Sequence, residues 1–407
     1  MSHTSEYPAF PFEAPDQRLS CPVEYERLRQ ECPVARVSLP FGGDAYLLTK
    51  HQDIVKAYTD SKSGMIQASD GDVPRFQPGR TIGTEEGSLF TVSDERHNQI
   101  RRVVTRAFTV KYASGLQPRV AEVTNTLIDK MERKGPPADL LNDYAIQTPM
   151  TVICELLGVP EQNEALFRQW GHVLVSTTDL TQQEKDALRD KVIAFLHPII
   201  QQAQKHPDNT VFGLLAQAHE LGDHMLTETE MFMFAAGLIG AGFETVSTTF
   251  TNMAYLVLSQ PALIQQLKQR VDDPQRMSLA IEELLRVTPI GNTGRPRITR
   301  DVLTFGDTTI PQGEVLILAS QSGNFDEEIF PHAKDIDFYR TTNPTLTFGR
   351  GIHACLGQQL ARMELQTLWS TLLTRLPDVH LAVSPADVPW RSTGTSTIGP
   401  IQLPVTW

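Results

Sequence analysis

Between Phe348 and Arg362 the chain reads FGRGIHACLGQQLAR. One cysteine, Cys355, stands among Gly349, Gly351 and Gly357, two residues after His353 and just before a run that predicts a helix. Two chemistries suit it poorly. A zinc site needs further Cys or His ligands at short spacing, and no C-x-x-C occurs anywhere in the sequence. A Cys–His nucleophile pair needs His353 to reach Cys355, and the stretch, read as extended chain, is expected to keep the two apart.

A third chemistry fits each position. A thiolate just before a helix is stabilised by the helix N-terminus and nearby backbone N–H groups. Glycines allow a tight loop and the close approach of a flat cofactor. Together these features suit an axial thiolate for haem iron. The stretch also resembles the haem-ligand signature F-G-x-G-x-H-x-C-x-G-x-x-L-A-R of the cytochrome P450 family, matching every fixed position. The resemblance implies haem b as cofactor, Cys355 as the metal ligand, and Phe348, Gly349, Gly357 and His353 as residues against the haem.

Three further segments extend the likeness over most of the chain. AIEELLRVTP resembles the family's E-x-x-R helix, with Glu283 and Arg286 one turn apart and Arg340 in DIDFYR closing a structural network. An isolated E-x-x-R is usually a surface ion pair, so its order before the cysteine loop carries the weight. DERHNQIRRVVTRAF resembles the family's H-x-x-x-R pair, which implies that His97 and Arg101 hold a haem propionate, with Arg297 and His353 as further propionate partners. GAGFETVST resembles the A-G-x-[DE]-T oxygen-activation motif, as Ala241, Gly242, Phe243, Glu244 and Thr245. A buried acid beside a hydroxyl in mid-helix is locally unfavourable and calls for a functional reason. The resemblance assigns catalysis to Glu244 and Thr245 through proton delivery.

The same likeness implies a monooxygenase that activates O2 with two external electrons. No flavin or iron–sulfur motif is present, so a ferredoxin-type donor with its reductase is the expected partner. Arg102, Arg106 and Arg350 are candidates for a basic docking patch on the cysteine side.

These residues need elements to position them. The 407-residue chain is 40% hydrophobic and 21% charged, ordinary for a large folded core, and contains no repeat or linker-like tract. A single cytochrome P450 domain over 1–407 is expected. The fold class is mainly α: an α-rich body with a smaller β-rich part and a long central helix over the haem. Residues 34 to 49 alternate around Gly42-Gly43 and predict a hairpin. From about residue 94 the pattern is helical, with breaks near Gly135, Gly158, His206 and Gly222. Short strands follow Pro289, and a helix is expected over about 356 to 376. Thr227 with Glu230 forms a T-x-x-E capping box, and no proline follows until Pro261, so one helix of about 30 residues, roughly 45 Å, is predicted.

A formal charge of −12 argues against nucleic-acid and anionic-membrane roles. The N-terminus lacks a basic n-region and an apolar h-region, and the apolar run near Met231 to Phe243 reads as too short for a bilayer. A cytoplasmic protein with no membrane or nucleic-acid partner is expected. Cys21, Cys32 and Cys154 read as incidental or packed thiols, not as a disulfide framework.

For the small-molecule substrate, Gly237, Gly240 and Ala241 with Thr245 place small side chains along one helix face, which implies a roomy pocket for a bulky ligand. By analogy with the family, Ile290 to Thr293 with Asn292 and Thr293 foremost, the turn from Thr393 to Thr397, the loop from Met65 to Phe90 and residues near Val173 to Ser176 would line it. Scattered segments such as PPADLLNDYA are similar to a bacterial branch that oxidises cyclic dipeptides. That likeness implies an aromatic, Trp-containing cyclodipeptide undergoing C–C or C–N coupling or hydroxylation. The alternatives are a hydroxylase or epoxidase of a terpenoid or polyketide and, from another class, a haem-based gas sensor or carrier.

Overall fold

The structure, a computed structural model, describes residues 6–76, 89, 94–159, 164–175, 181–208, 210–220, 226–391 and 397–407. Its described residues fall into two compact units, each assembled from two stretches of chain: Met1–Glu86 with Glu282–Cys355, and Gly87–Ile281 with Leu356–Trp407.

The first unit is built on a five-stranded sheet. Val34–Ser38 pairs antiparallel with Asp44–Leu48 through the Gly42-Gly43 turn, where both glycines take positive φ. Asp44–Leu48 then pairs in parallel with Val315–Leu318 (Tyr46 opposite Leu316), which pairs antiparallel with Arg295–Thr299, and Ser63–Gly64 closes the far edge. Alternation along these strands divides the core. Ala35, Val37, Ala45, Leu47, Val315 and Ile317 pack with Phe10, Phe12 and Tyr25. Val34, Leu48, Leu316 and Leu318 pack with Ile54, Ala57 and Tyr58 of the helix His51–Thr59.

The second unit is helical. Its axis is Glu228–Leu258, opened by the expected capping box: Thr227 Oγ1 accepts from the Glu230 N–H, and the Glu230 carboxylate accepts from the Thr227 N–H. The helices Glu164–Val175 and Gln147–Leu157 pack on it, and Val110–Lys134 packs on Gln358–Arg375. Buried polar tips are satisfied across these contacts: the Trp170 indole donates to the Ala236 carbonyl (2.8 Å) and the Tyr144 hydroxyl to the Leu368 carbonyl (2.8 Å).

One expectation is corrected. The apolar stretch does not stop at Phe243; Thr229–Leu258 is long and apolar enough to cross a membrane by length and composition. Two thirds (67%) of its most apolar 18-residue stretch is buried inside the protein, so its apolar surface is used by the core.

Candidate active site

In the first unit the cysteine loop is shaped by glycine and by Tyr58. Gly349 and Gly351 adopt φ of +66° and +71°. A Cβ on Gly351 would stand 2.3 Å from the Tyr58 carbonyl oxygen, and one on Gly349 would meet the Tyr58 ring at 3.7 Å, so the backbone lies directly on this tyrosine. The Cys355 N–H donates to the Phe348 carbonyl (2.8 Å) and the Ala354 N–H to the Gly351 carbonyl (3.1 Å), which fixes the turn. Cys355 itself is exposed and in no disulfide, and the helix Gln358–Arg375 starts three residues on. The expectation that extended chain separates His353 from Cys355 does not describe this loop. Extended chain would put residues two apart on the same face, and Gly351–His353 is instead a 3-10 turn.

Arg297, buried on its strand, lies over the Tyr58 ring at 5.4 Å, and the Tyr58 hydroxyl shares a hydrogen bond with Ser320 Oγ (3.0 Å). Tyr58 thus links the cysteine loop to the proposed propionate arginine. Nothing in its sequence context, HQDIVKAYTD, separates it from an ordinary amphipathic-helix aromatic, and it was missed for that reason.

Beneath the loop is a buried charge network. Arg286 forks onto both Glu283 oxygens (2.9 and 2.7 Å) and donates to the carbonyls of Asn324, Ala333 and Asp335. Glu283 also accepts from Arg340 Nε (3.1 Å), Asn343 Nδ2 (3.1 Å) and the Asp337 N–H (3.0 Å). Both members of the central pair are fully buried (0% exposed), which is tolerable because so many of their polar atoms are partnered. Asn324 carries the constraint onward, its Oδ1 accepting from the Leu346 N–H (2.7 Å), while Thr347 Oγ1 donates to the Leu285 carbonyl (2.7 Å). The segment entering the cysteine loop is therefore pinned at two points. Arg350 donates to the Thr345 carbonyl (3.1 Å). Asn292 and Thr293 are half-buried after the E-x-x-R helix.

In the second unit, Asp94–Val104 carries His97 and Arg101 one turn apart. His97 is buried; burial first, and then the Arg101 charge, holds its imidazole below the ordinary histidine range, while Arg101 is half-buried. This helix is tied to the long helix by Arg96, which grips Glu230 with Nε (2.7 Å) and Nη2 (2.5 Å). Burial works against the Glu230 charge, but Arg96 and the Thr227 N–H outweigh it and keep the carboxyl below its usual range. Arg102 is exposed, and the side chain of Arg106 lies outside the described residues.

Along the long helix, Glu244 is 1% exposed and forms an ion pair with Arg391 (2.8 Å). Thr245 Oγ1 donates to the Ala241 carbonyl (2.6 Å), so its proton is engaged and its lone pairs remain as acceptors. The glycines divide. A Cβ on Gly242 would press Ile153 at 3.0 Å, so Gly242 serves helix packing, whereas one on Gly237 would meet nothing within 4 Å. Gly240 is buried and Ala241 is exposed. Thr393 and Ser176 lie outside the described residues, as do the side chains of 173–175 and most of 77–90.

The donor set fits a haem. Among the described residues no group of three or more His, Cys, Asp or Glu could hold a bare metal ion. A lone accessible thiol on a glycine-shaped loop suits an iron whose in-plane positions are already filled by a macrocycle. Arg297 and His353 in the first unit, and His97 and Arg101 in the second, are of the cationic or hydrogen-bonding types that suit haem carboxylates.

Comparison with known proteins agrees with this chemistry. The Cytochrome P450 family profile matches residues 25–381. The mycinamicin IV hydroxylase/epoxidase of Micromonospora griseorubida is 36% identical, with 94% of each chain covered. The nocardicin C N-oxygenase of Nocardia uniformis subsp. tsuyamanensis is 35% identical, again with 94% of each covered. The solved structure of the mixed-function P450 MycG superposes with a TM-score of 0.90 at 35% identity, covering 99% of this chain and 100% of that one. The chain belongs to the cytochrome P450 family and is a bacterial haem-dependent monooxygenase of secondary metabolism.

Proposed function

We propose that the protein is a hydroxylase or epoxidase that inserts oxygen into a bulky terpenoid or polyketide, in the cytoplasm, with haem b as cofactor and electrons from a ferredoxin-type donor and its reductase. The observation that carries this reading is the juxtaposition, on one helix, of the open positions Gly237 and Ala241 with the acid–hydroxyl pair Glu244 and Thr245. Relatives named for hydroxylation, epoxidation and N-oxygenation across 94% of the chain support oxygen insertion as the outcome. Relatives named as oxygenases also speak against a sensor or carrier. The chain is read as one P450 domain over 1–407.

When bound, haem supplies the reduction of O2 and the transfer of one oxygen atom to substrate. Cys355 would ligate its iron as thiolate, on a loop fixed by the Phe348 carbonyl bond and the two positive-φ glycines. In the first unit Phe348 and Gly349 would lie against the macrocycle and Arg297 and His353 would bind its carboxylates; in the second, Gly357 and Ala241, and His97 and Arg101, would do the same. Glu244 would take up a proton at its carboxylate and pass it on towards Thr245. Thr245 Oγ1, whose own O–H donates to the Ala241 carbonyl, would accept a hydrogen bond from the delivered proton and orient it. Gly237 and Gly240 on the long helix, and Asn292 and Thr293 in the first unit, would border the substrate; Thr393 lies outside the described residues.

The test is an optical titration of the ferric holoenzyme with a terpenoid, a macrolide and an aromatic cyclic dipeptide, followed by product mass. A saturable haem-band shift with the terpenoid or macrolide, and product carrying one added oxygen, is expected. A shift with the cyclic dipeptide alone, and a coupled product, would overturn the proposal.

A further inference from the structure

The C-terminal hairpin lies along one stripe of the long helix, and each contact along that stripe is specific. Trp390 meets Tyr255 edge-to-face (5.0 Å). The Asn252 amide donates to the Ile398 carbonyl (3.0 Å). Gly399, in the positive-φ region at +157°, comes so close to the helix that a Cβ there would stand 2.7 Å from Asn252 Oδ1 and 3.4 Å from Thr248 Cγ2. The hairpin is held together by the Arg391 N–H on the Gly399 carbonyl (3.0 Å) and the Ile401 N–H on the Pro389 carbonyl (2.8 Å). Positions 244, 248, 252 and 255 follow one another at helical spacing, so a hairpin registered at the last three is delivered to the first. What it delivers is Arg391. One Nη donates to Thr397 Oγ1, and the other is 2.8 Å from Glu244.

We infer that Arg391 is a positioning residue for proton delivery: it holds Glu244 as a carboxylate in a fixed rotamer beside Thr245, and the register of the hairpin on the helix sets that grip. The inference rests on the proposed relay role of Glu244. A carboxylate 1% exposed needs a paired cation to stay charged, and Arg391 is itself only 16% exposed, so the pair is largely out of water. Glu244 can act as a relay only from a defined charge state and rotamer, and Arg391, almost 150 positions later in the chain, contributes to both.

The experiment uses ferric, substrate-free holoenzyme in two readouts. Infrared spectra at neutral pH report buried protonated carboxyls, with Glu244→Gln identifying the band. In Arg391→Gln a protonated-carboxyl band that the added Glu244→Gln removes is expected, and in Arg391→Lys, which keeps the charge, none. Gly399→Ala, which must push the hairpin off Asn252, is expected to produce the same band with Arg391 intact. An Arg391→Gln spectrum identical to wild type overturns the inference.

The second readout is peroxide yield during substrate-free turnover with a plant-type ferredoxin and its reductase. Each O2 leaves either as hydrogen peroxide, taking two electrons and two protons, or as two waters, taking four of each. Arg391→Gln and Glu244→Gln are both expected to raise peroxide several-fold, and Arg391→Lys to restore the wild-type yield. If Glu244→Gln raises peroxide and Arg391→Gln does not, the inference falls while the relay role stands. If Glu244→Gln changes nothing, the relay role falls and takes the inference with it.

Discussion

Two carboxyl groups, each fully enclosed in its own unit, are treated in opposite ways. In the cysteine unit Glu283 meets two arginines, an asparagine and a backbone N–H. In the helical unit Glu364, on the helix that follows Cys355, is just as enclosed, and burial alone pushes its carboxyl up to about 8. The first acid is ligated by cations and N–H donors and serves as a rigid anchor; the second avoids charge by keeping its proton. Glu244 stands between these extremes, in an ion pair with Arg391 (2.8 Å). A protein of this kind can thus hold its cysteine loop in a densely cross-linked frame while the long helix's buried acid is joined to a segment from the far end of the chain.

Breaking the anchor has the largest effect. Glu283→Ala leaves Arg286 charged and buried, and a loss of about 3–5 kcal/mol is expected in denaturant unfolding, with poor haem retention. The opposite acid sharpens the contrast. Because the folded Glu364 carboxyl has a raised pKa, the unfolded chain releases this proton first. Its contribution to stability is full below about pH 4.5 and is lost as the pH rises towards about 8. Glu364→Gln removes that slope and is expected to gain on the order of a few kcal/mol over wild type at alkaline pH, with little gain near pH 4; thermal unfolding across pH reads this directly. If the wild-type slope is absent, the contrast between the two acids collapses.

Gly351→Ala forces a side chain into positive φ and against the Tyr58 carbonyl. A cost of about 1–3 kcal/mol is expected, together with a larger fraction of reduced, CO-treated protein lacking thiolate ligation in its absorption spectrum. The smallest effect belongs to the open helix face. Gly237→Ala meets no neighbour within 4 Å and is expected to stabilise by about 0.5–1 kcal/mol, while Gly237→Phe leaves the fold intact and weakens the spectral response to the largest ligands.

Motifs that act through chain-local spacing were legible. The cysteine loop, the E-x-x-R helix, the capping box and the acid–hydroxyl pair each announce themselves within a few residues, and the last residue of the long helix falls where the sequence placed it to within a turn. Arg391 was not legible, because its partner is almost 150 positions away and WRSTGTS reads as any polar turn. Tyr58 was missed for a related reason: its role comes from three distant segments converging on its ring and backbone. The glycines were legible only as a class; that Gly242 packs on Ile153 and Gly237 faces open space depends on which neighbouring helix arrives.

The parallel pairing of Tyr46 with Leu316 carries a consequence for biosynthesis. These strands are about 270 residues apart, so at roughly 5–20 residues per second the N-terminal hairpin emerges from the ribosome tens of seconds before its partner exists. During that interval the edge strand Asp44–Leu48 offers unpaired N–H and C=O groups to any other nascent chain. The cysteine loop, resting on Tyr58 just beyond this hairpin, is completed later still. Expression temperature and chaperone supply should therefore govern the yield of soluble, haem-loaded protein more strongly than its final equilibrium stability does.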